Sequence, residues 1–125
     1  MQFFFKSPLN DGGTFCGVAD LAPKYGLVPM SAQPETFTAE NTAKMGSLLS
    51  SKLREYGLEL HRMVAVGKKP QAIADRKTEM LSTIYRMLSM AYGEPVKEFT
   101  YQFRDKNGRA VGEPRRFTPK SFYAR

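Results

Sequence analysis

The 125-residue chain holds a single cysteine, a single histidine and no tryptophan. One thiol cannot close an internal disulfide, and one thiol with one imidazole cannot complete a tetrahedral zinc site. No stretch approaches the ~20 consecutive apolar residues that a membrane span requires. The opening Met1-Gln2-Phe3-Phe4-Phe5-Lys6 has too short an apolar run for a secretory signal and lacks a small-residue cleavage site. No metal, cofactor or membrane attachment is therefore expected, and a cytoplasmic setting fits. With 42% hydrophobic residues the chain is not of disordered composition, and its length allows one domain at most, or a piece of one.

What is present is dominated by a helical pair over residues 38–93. Met45, Leu49, Leu53, Tyr56, Leu60 and Met63 recur at steps of three or four, which predicts a helix from about Thr38 to Val66 with Thr38 as its N-cap. Gly67 supplies a left-handed stop and Pro70 a first-turn start. The second helix carries Ile73, Met80, Ile84, Met87 and Ala91, widened by Leu81, Leu88 and Tyr85, and ends at Gly93. So short a connection makes the two antiparallel with their stripes facing. Methionines on the stripes read as core filling.

Residues 97–117 read as a β-hairpin. Phe99, Tyr101 and Phe103 alternate with polar residues, Asp105-Lys106-Asn107-Gly108 makes the turn, and Arg109 to Phe117 returns along an edge that tolerates Pro114. In residues 118–125, Thr118-Pro119 reads as N-cap and N1 of a further helical turn. Residues 1–37 hold four parts. Phe3-Phe4-Phe5 suits a strand buried on both faces. Asn10-Asp11-Gly12-Gly13 is turn-forming, and its glycines let another chain approach closely. A short helix from Thr14 carries Phe15, Val18, Leu21 and Ala22 on one side and closes at Tyr25-Gly26, and an extended connector runs from Leu27 to Phe37. The fold class expected is α+β, mainly α.

The net charge of +7 is concentrated at the C-terminal end, where seven basic residues from Arg104 to Arg125 face only Asp105 and Glu113. Such a patch is either a solvated basic face or a surface for phosphates or an acidic partner, and no nucleic-acid motif accompanies it. Cys16 near a helix start is a candidate nucleophile by position, but it needs a histidine within hydrogen-bond reach, and His61 is off the apolar stripe of the long helix.

Several separated segments, in order, resemble one family. Pro8 with Asn10-Asp11-Gly12-Gly13, Lys24-Tyr25-Gly26-Leu27-Val28-Pro29, Pro34-Glu35-Thr36, Phe99-Thr100-Tyr101-Gln102-Phe103-Arg104-Asp105-Lys106 and Thr118-Pro119-Lys120-Ser121-Phe122-Tyr123 are similar to the middle of bleomycin hydrolases and bacterial aminopeptidases C, which are papain-like cysteine peptidases. The resemblance implies a helical insertion in a papain-like fold, a peptide substrate, and a homo-oligomer, often a hexameric ring. It also implies that Asp11, Gly12 and Gly13 line the substrate. The family's Gly-x-Cys-Trp nucleophile segment and its histidine and asparagine have no counterpart in this sequence, so no catalytic residue is assigned and the chain alone is expected to be inactive. The glycine pair is followed by Thr14-Phe15-Cys16-Gly17 where the family usually has Gln and an aromatic. The alternative is a standalone basic helical module that binds nucleic acid or an acidic protein partner.

Overall fold

The computed structural model describes residues 5–9 and 13–125. The element order is α1 (Phe15–Tyr25), α2 (Phe37–Glu40), α3 (Thr42–Ala65), α4 (Pro70–Tyr92), β1 (Phe99–Arg104), β2 (Ala110–Phe117) and α5 (Pro119–Tyr123). The class is α+β and mainly helical, as the sequence predicts. Two compact units divide the chain. One takes Thr36–Glu94 with the described residues before Gly12, and the other takes Gly13–Glu35 with Pro95–Arg125.

The first unit is built on the α3–α4 pair. Met45, Tyr56 and Met80 are its most buried side chains, with Leu49, Leu53, Leu60, Met63, Ile73, Ile84 and Met87 half-buried along the same stripes. Near the connection Arg76 of α4 grips Glu59 of α3, while at the far end Thr42 and Ala43 share a groove with Tyr92. That is the antiparallel arrangement expected from Gly67, at φ 69°, and Pro70 at N1. Leu81 and Tyr85, read as part of the stripe, are instead 63% and 51% exposed. The buried stripe of α4 is narrower than hydropathy implies: α3 packs along it, and α2 meets it as well.

The N-terminus of the first long helix also differs from expectation. Thr36, not Thr38, is the cap: its hydroxyl accepts from the Ala39 amide and donates to the Ala91 carbonyl. Asn41, at φ −127° and ψ 63°, breaks the run into the one-turn α2 and the long α3. Phe37 therefore opens a helix and does not end an extended connector, and Pro29 begins a turn within that connector, accepting from the Ala32 and Gln33 amides. Phe5 is helical, together with Lys6, where the sequence suggests a strand over Phe3-Phe4-Phe5; Phe3 and Phe4 lie outside the described residues.

The second unit holds the hairpin and α5. Phe99 pairs with Phe117 and Phe103 with Val111, but the register shifts between Tyr101 and Phe103. Opposite the single Gln102, the stretch Gly112-Glu113-Pro114 bulges out, with Gly112 at φ 69° and its carbonyl accepting from the Gln102 side-chain Nε2 at 2.8 Å. Pro114 thus falls where the ladder is already interrupted and costs no bond. Asp105 closes the turn, its carboxylate accepting from the Asn107 and Arg109 amides. Phe99, Tyr101, Phe103 and Phe117 close on Phe122 of α5 with ring centroids 5.2 to 6.0 Å from it. Thr118 and Ser121 form a reciprocal capping box that starts α5, as Thr118-Pro119 foretells. Gly26, the C-cap of α1 at φ 88°, lies against the Pro119 backbone, and the Leu27 amide donates to the Pro119 carbonyl at 3.0 Å.

Candidate functional site

The stretch singled out in the sequence begins as a segment bound to α3. Arg54 donates from Nε to the Phe5 carbonyl at 2.8 Å and from Nη2 to the Lys6 carbonyl at 3.1 Å. One turn further along α3, Gly57 leaves space for the Phe5 ring, and a Cβ there would stand 3.0 Å from it. Pro8 borders a small cleft with Phe5, Leu53, Arg54 and Gly57. Leu9 lies over a groove of about 390 Å³ whose floor is Thr42, Ala43, Gly46, Leu49 and Ser50 of α3 with Tyr92 of α4. Small residues on α3 let an extended segment lie close to the helix.

Of the three proposed substrate-lining residues, Asp11 and Gly12 lie outside the described residues. Gly13 is exposed, and a Cβ built on it meets nothing within 4 Å.

Cys16 sits in the first turn of α1 with its thiol exposed, and His61 is exposed on α3. Neither has a hydrogen-bond partner among the described residues, so neither carries the activating contact a thiol nucleophile requires. No group of three or more metal-ligating side chains occurs among the described residues. No described helix is long and apolar enough to cross a membrane.

The basic end is distributed around the aromatic cluster. Arg125 lies 4.5 Å from the Phe103 ring centroid and 5.8 Å from that of Phe117, Arg104 donates to the Gly108 carbonyl, and Arg116 pairs with Glu98. Three of its cations are thus engaged in holding the hairpin. The strongest electrostatic feature lies elsewhere, at Arg76. Hydrogen bonds to Glu59 and Glu79 raise its guanidinium pKa further, and the Arg76 bond holds the Glu59 carboxyl below its ordinary value. This knot joins α3 and α4.

Arg54 is the residue that sequence reasoning passes over. It lies beside the stripe and not on it, and its partners are 48 and 49 residues upstream. No local pattern in the sequence signals such a contact.

Comparison with known proteins supplies the context for this geometry. The profile of the Peptidase C1-like family matches residues 1–125. Aminopeptidase C of Lactobacillus helveticus is 37% identical over 123 residues, covering 98% of this chain and 27% of its own length. Bleomycin hydrolase of Gallus gallus is 36% identical over 125 residues, with the same two coverages. The crystal structure of PepW from Lactobacillus rhamnosis HN001 superposes with a TM-score of 0.89 at 32% identity, covering 98% of this chain and 27% of that one. The chain thus spans about a quarter of the length of the relatives it matches, and corresponds to one segment of a papain-like peptidase. With a match that runs from the first residue to the last, the chain belongs to the Peptidase C1-like family.

Proposed function

We propose that this chain serves as the substrate-wall and helical-insertion segment of a papain-like cysteine aminopeptidase, with Asp11, Gly12 and Gly13 presenting main-chain groups to a peptide substrate. The α3–α4 pair shapes the ring or channel formed by like subunits. The catalytic cysteine, histidine and asparagine belong to other parts of such an enzyme, and a cytoplasmic setting is part of the same reading. The observation that carries it is the whole-chain match, at about a third identity, to proteins named aminopeptidase C and bleomycin hydrolase.

Peptide recognition by a wall of this kind is main-chain pairing, which requires that no side chain stand where the substrate lies flat. Gly13 is exposed and bare on the side where a Cβ would project. The test places this chain in Lactobacillus helveticus aminopeptidase C in exchange for the matching segment and measures release of N-terminal residues. The exchanged enzyme should turn over aminoacyl fluorogenic substrates, and Gly13→Val within it should lower kcat/KM roughly 10- to 100-fold, the value of one or two lost hydrogen bonds. Alkylation of its nucleophilic thiol by a small reagent should be unchanged. Wild-type kcat/KM in the Gly13→Val enzyme would overturn the wall. The 125-residue chain alone should show no turnover, and activity above background that disappears in Cys16→Ala would overturn the segment reading.

A further inference from the structure

We propose that Asn107 is a self-modifying site whose rate Asp105 controls. Asn107 and Gly108 are both exposed in the hairpin turn, and the Asn107 side-chain amide has no hydrogen-bond partner among the described residues. Glycine after asparagine leaves the following backbone nitrogen unscreened by any side chain, and a Cβ built on Gly108 would stand in open space. The Gly108 nitrogen can therefore bond to the Asn107 side-chain carbonyl carbon. That carbon then loses its amino group, which leaves as ammonia with the proton from the Gly108 nitrogen, and a cyclic imide remains. Water opens the imide at either carbonyl. Attack at the side-chain carbonyl gives aspartate, and attack at the main-chain carbonyl gives isoaspartate, with the backbone running through the side chain. No oxidant or reductant takes part.

The closed turn withholds the nucleophile. The Gly108 amide donates to the Asp105 carbonyl at 3.0 Å, and cyclisation must break that bond to turn the nitrogen toward the Asn107 side chain. The Asp105 carboxylate secures the same turn by accepting from the Asn107 and Arg109 amides at 2.8 and 2.9 Å. Arg104 adds a bond to the Gly108 carbonyl at 2.8 Å. Bonds to an ionised acceptor are stronger than neutral ones, so Asp105 keeps the open turn rare. Both products oppose reclosure. Each sets a new carboxylate two residues from that of Asp105, and isoaspartate also lengthens the backbone of a turn whose length fixes the hairpin register. The conversion thus marks, permanently, a chain whose hairpin turn has opened.

The test incubates the folded 125-residue chain at mildly alkaline pH, cleaves it after Glu98 and Glu113, and follows the peptide Phe99–Glu113 by mass spectrometry, with isoaspartate read by enzymatic methyl labelling. Asn107 should convert slowly in the folded chain and fastest in guanidinium chloride, where the turn is open. Asn107→Gln, which would need a larger ring, should abolish the conversion. Asp105→Ala should speed it roughly tenfold with the near-UV circular dichroism of the Phe122 cluster unchanged, and Asp105→Asn, which keeps one acceptor oxygen, should fall between. If Asp105→Ala also loses the cluster, the rate of Asp105→Asn against the parent chain decides. No conversion at Asn107 even in guanidinium chloride overturns the site. Conversion as fast in the folded parent as in denaturant, or an unchanged rate in Asp105→Asn and Asp105→Ala, overturns control by Asp105.

Discussion

Arg76 on α4 clasps Glu59 on α3 side-on, Nε to Oε1 at 2.6 Å and Nη2 to Oε2 at 3.2 Å, and the same guanidinium reaches Glu79 at 2.6 Å. A bidentate fork of this kind fixes the register between two helices more than it adds stability, because the partners are more than a third exposed. The Arg76 bond lowers the folded-state pKa of Glu59 below its ordinary 4.5. Stability from the pair is then fully present above pH 4.5 and is lost as pH falls through the lower folded value. Thermal melts of Glu59→Gln and the parent chain should differ at pH 7, and the two curves should draw together below pH 4.5. A gap that persists or widens at pH 3 would exclude the ionised pair as its source.

Met80 and Leu81 are neighbours in sequence and both fall on the apolar stripe that hydropathy predicts, yet they are 4% and 63% exposed. Met80→Ala should cost roughly 2 to 4 kcal/mol through lost burial and a residual cavity. Leu81→Ser should stay within about 0.5 kcal/mol. Urea unfolding with fixed m-value measures both, and equal losses would contradict the packing of α4.

Two glycines with similar positive φ should respond differently to a methyl group. At Gly67, φ 69°, a Cβ meets nothing within 4 Å, so Gly67→Ala carries only the left-handed penalty of roughly 1 kcal/mol. At Gly26, φ 88°, the Cβ would lie 2.1 Å from the Pro119 carbonyl carbon, which is backbone and cannot swing away. Gly26→Ala should therefore detach α1 from α5 and lower the melting temperature well beyond Gly67→Ala. Near-UV circular dichroism of the Phe122 cluster reports the same event, and parity between the two variants would refute the close approach.

The isolated chain should self-associate. On α1, Phe15, Val18, Leu21 and Tyr25 are 85%, 61%, 53% and 59% exposed, and a helix without a single buried residue has an apolar side still to be covered. Light scattering at rising concentration should show oligomers, and Val18→Glu with Leu21→Lys should suppress them. A monomer at every concentration, without dye binding, would mean that α1 needs no cover.

What the sequence made legible follows from where local chemistry decides. Gly67, Pro70 and Gly93 bound α4 because helix ends obey backbone rules that neighbours rarely override, and Thr118-Pro119 started α5 for the same reason. The break at Asn41 was hidden, since the cap at Thr36 is completed by the Ala91 carbonyl, 55 residues away. Likewise the bulge at Gly112 to Pro114 could be read only once Gln102 was opposite it. For the proposed wall, motif order points to Asp11, Gly12 and Gly13, while the contacts that tether the segment from Phe5, those of Arg54 and Gly57, carry no periodic signature.

The bond from the Leu27 amide to the Pro119 carbonyl joins residues roughly ninety apart along the chain, a closure whose entropic cost grows with the logarithm of the intervening length. Between them lies the α3–α4 pair, whose own contacts are local and whose ends are drawn together when the Thr36 hydroxyl meets Ala91. Once that pair and the β1–β2 hairpin have each zipped locally, the stretch left to close is only the short connectors outside them. The helical pair thus acts as a folding shortcut: variants that weaken it, such as Met80→Ala, should slow the docking of α1 onto α5 although they touch neither.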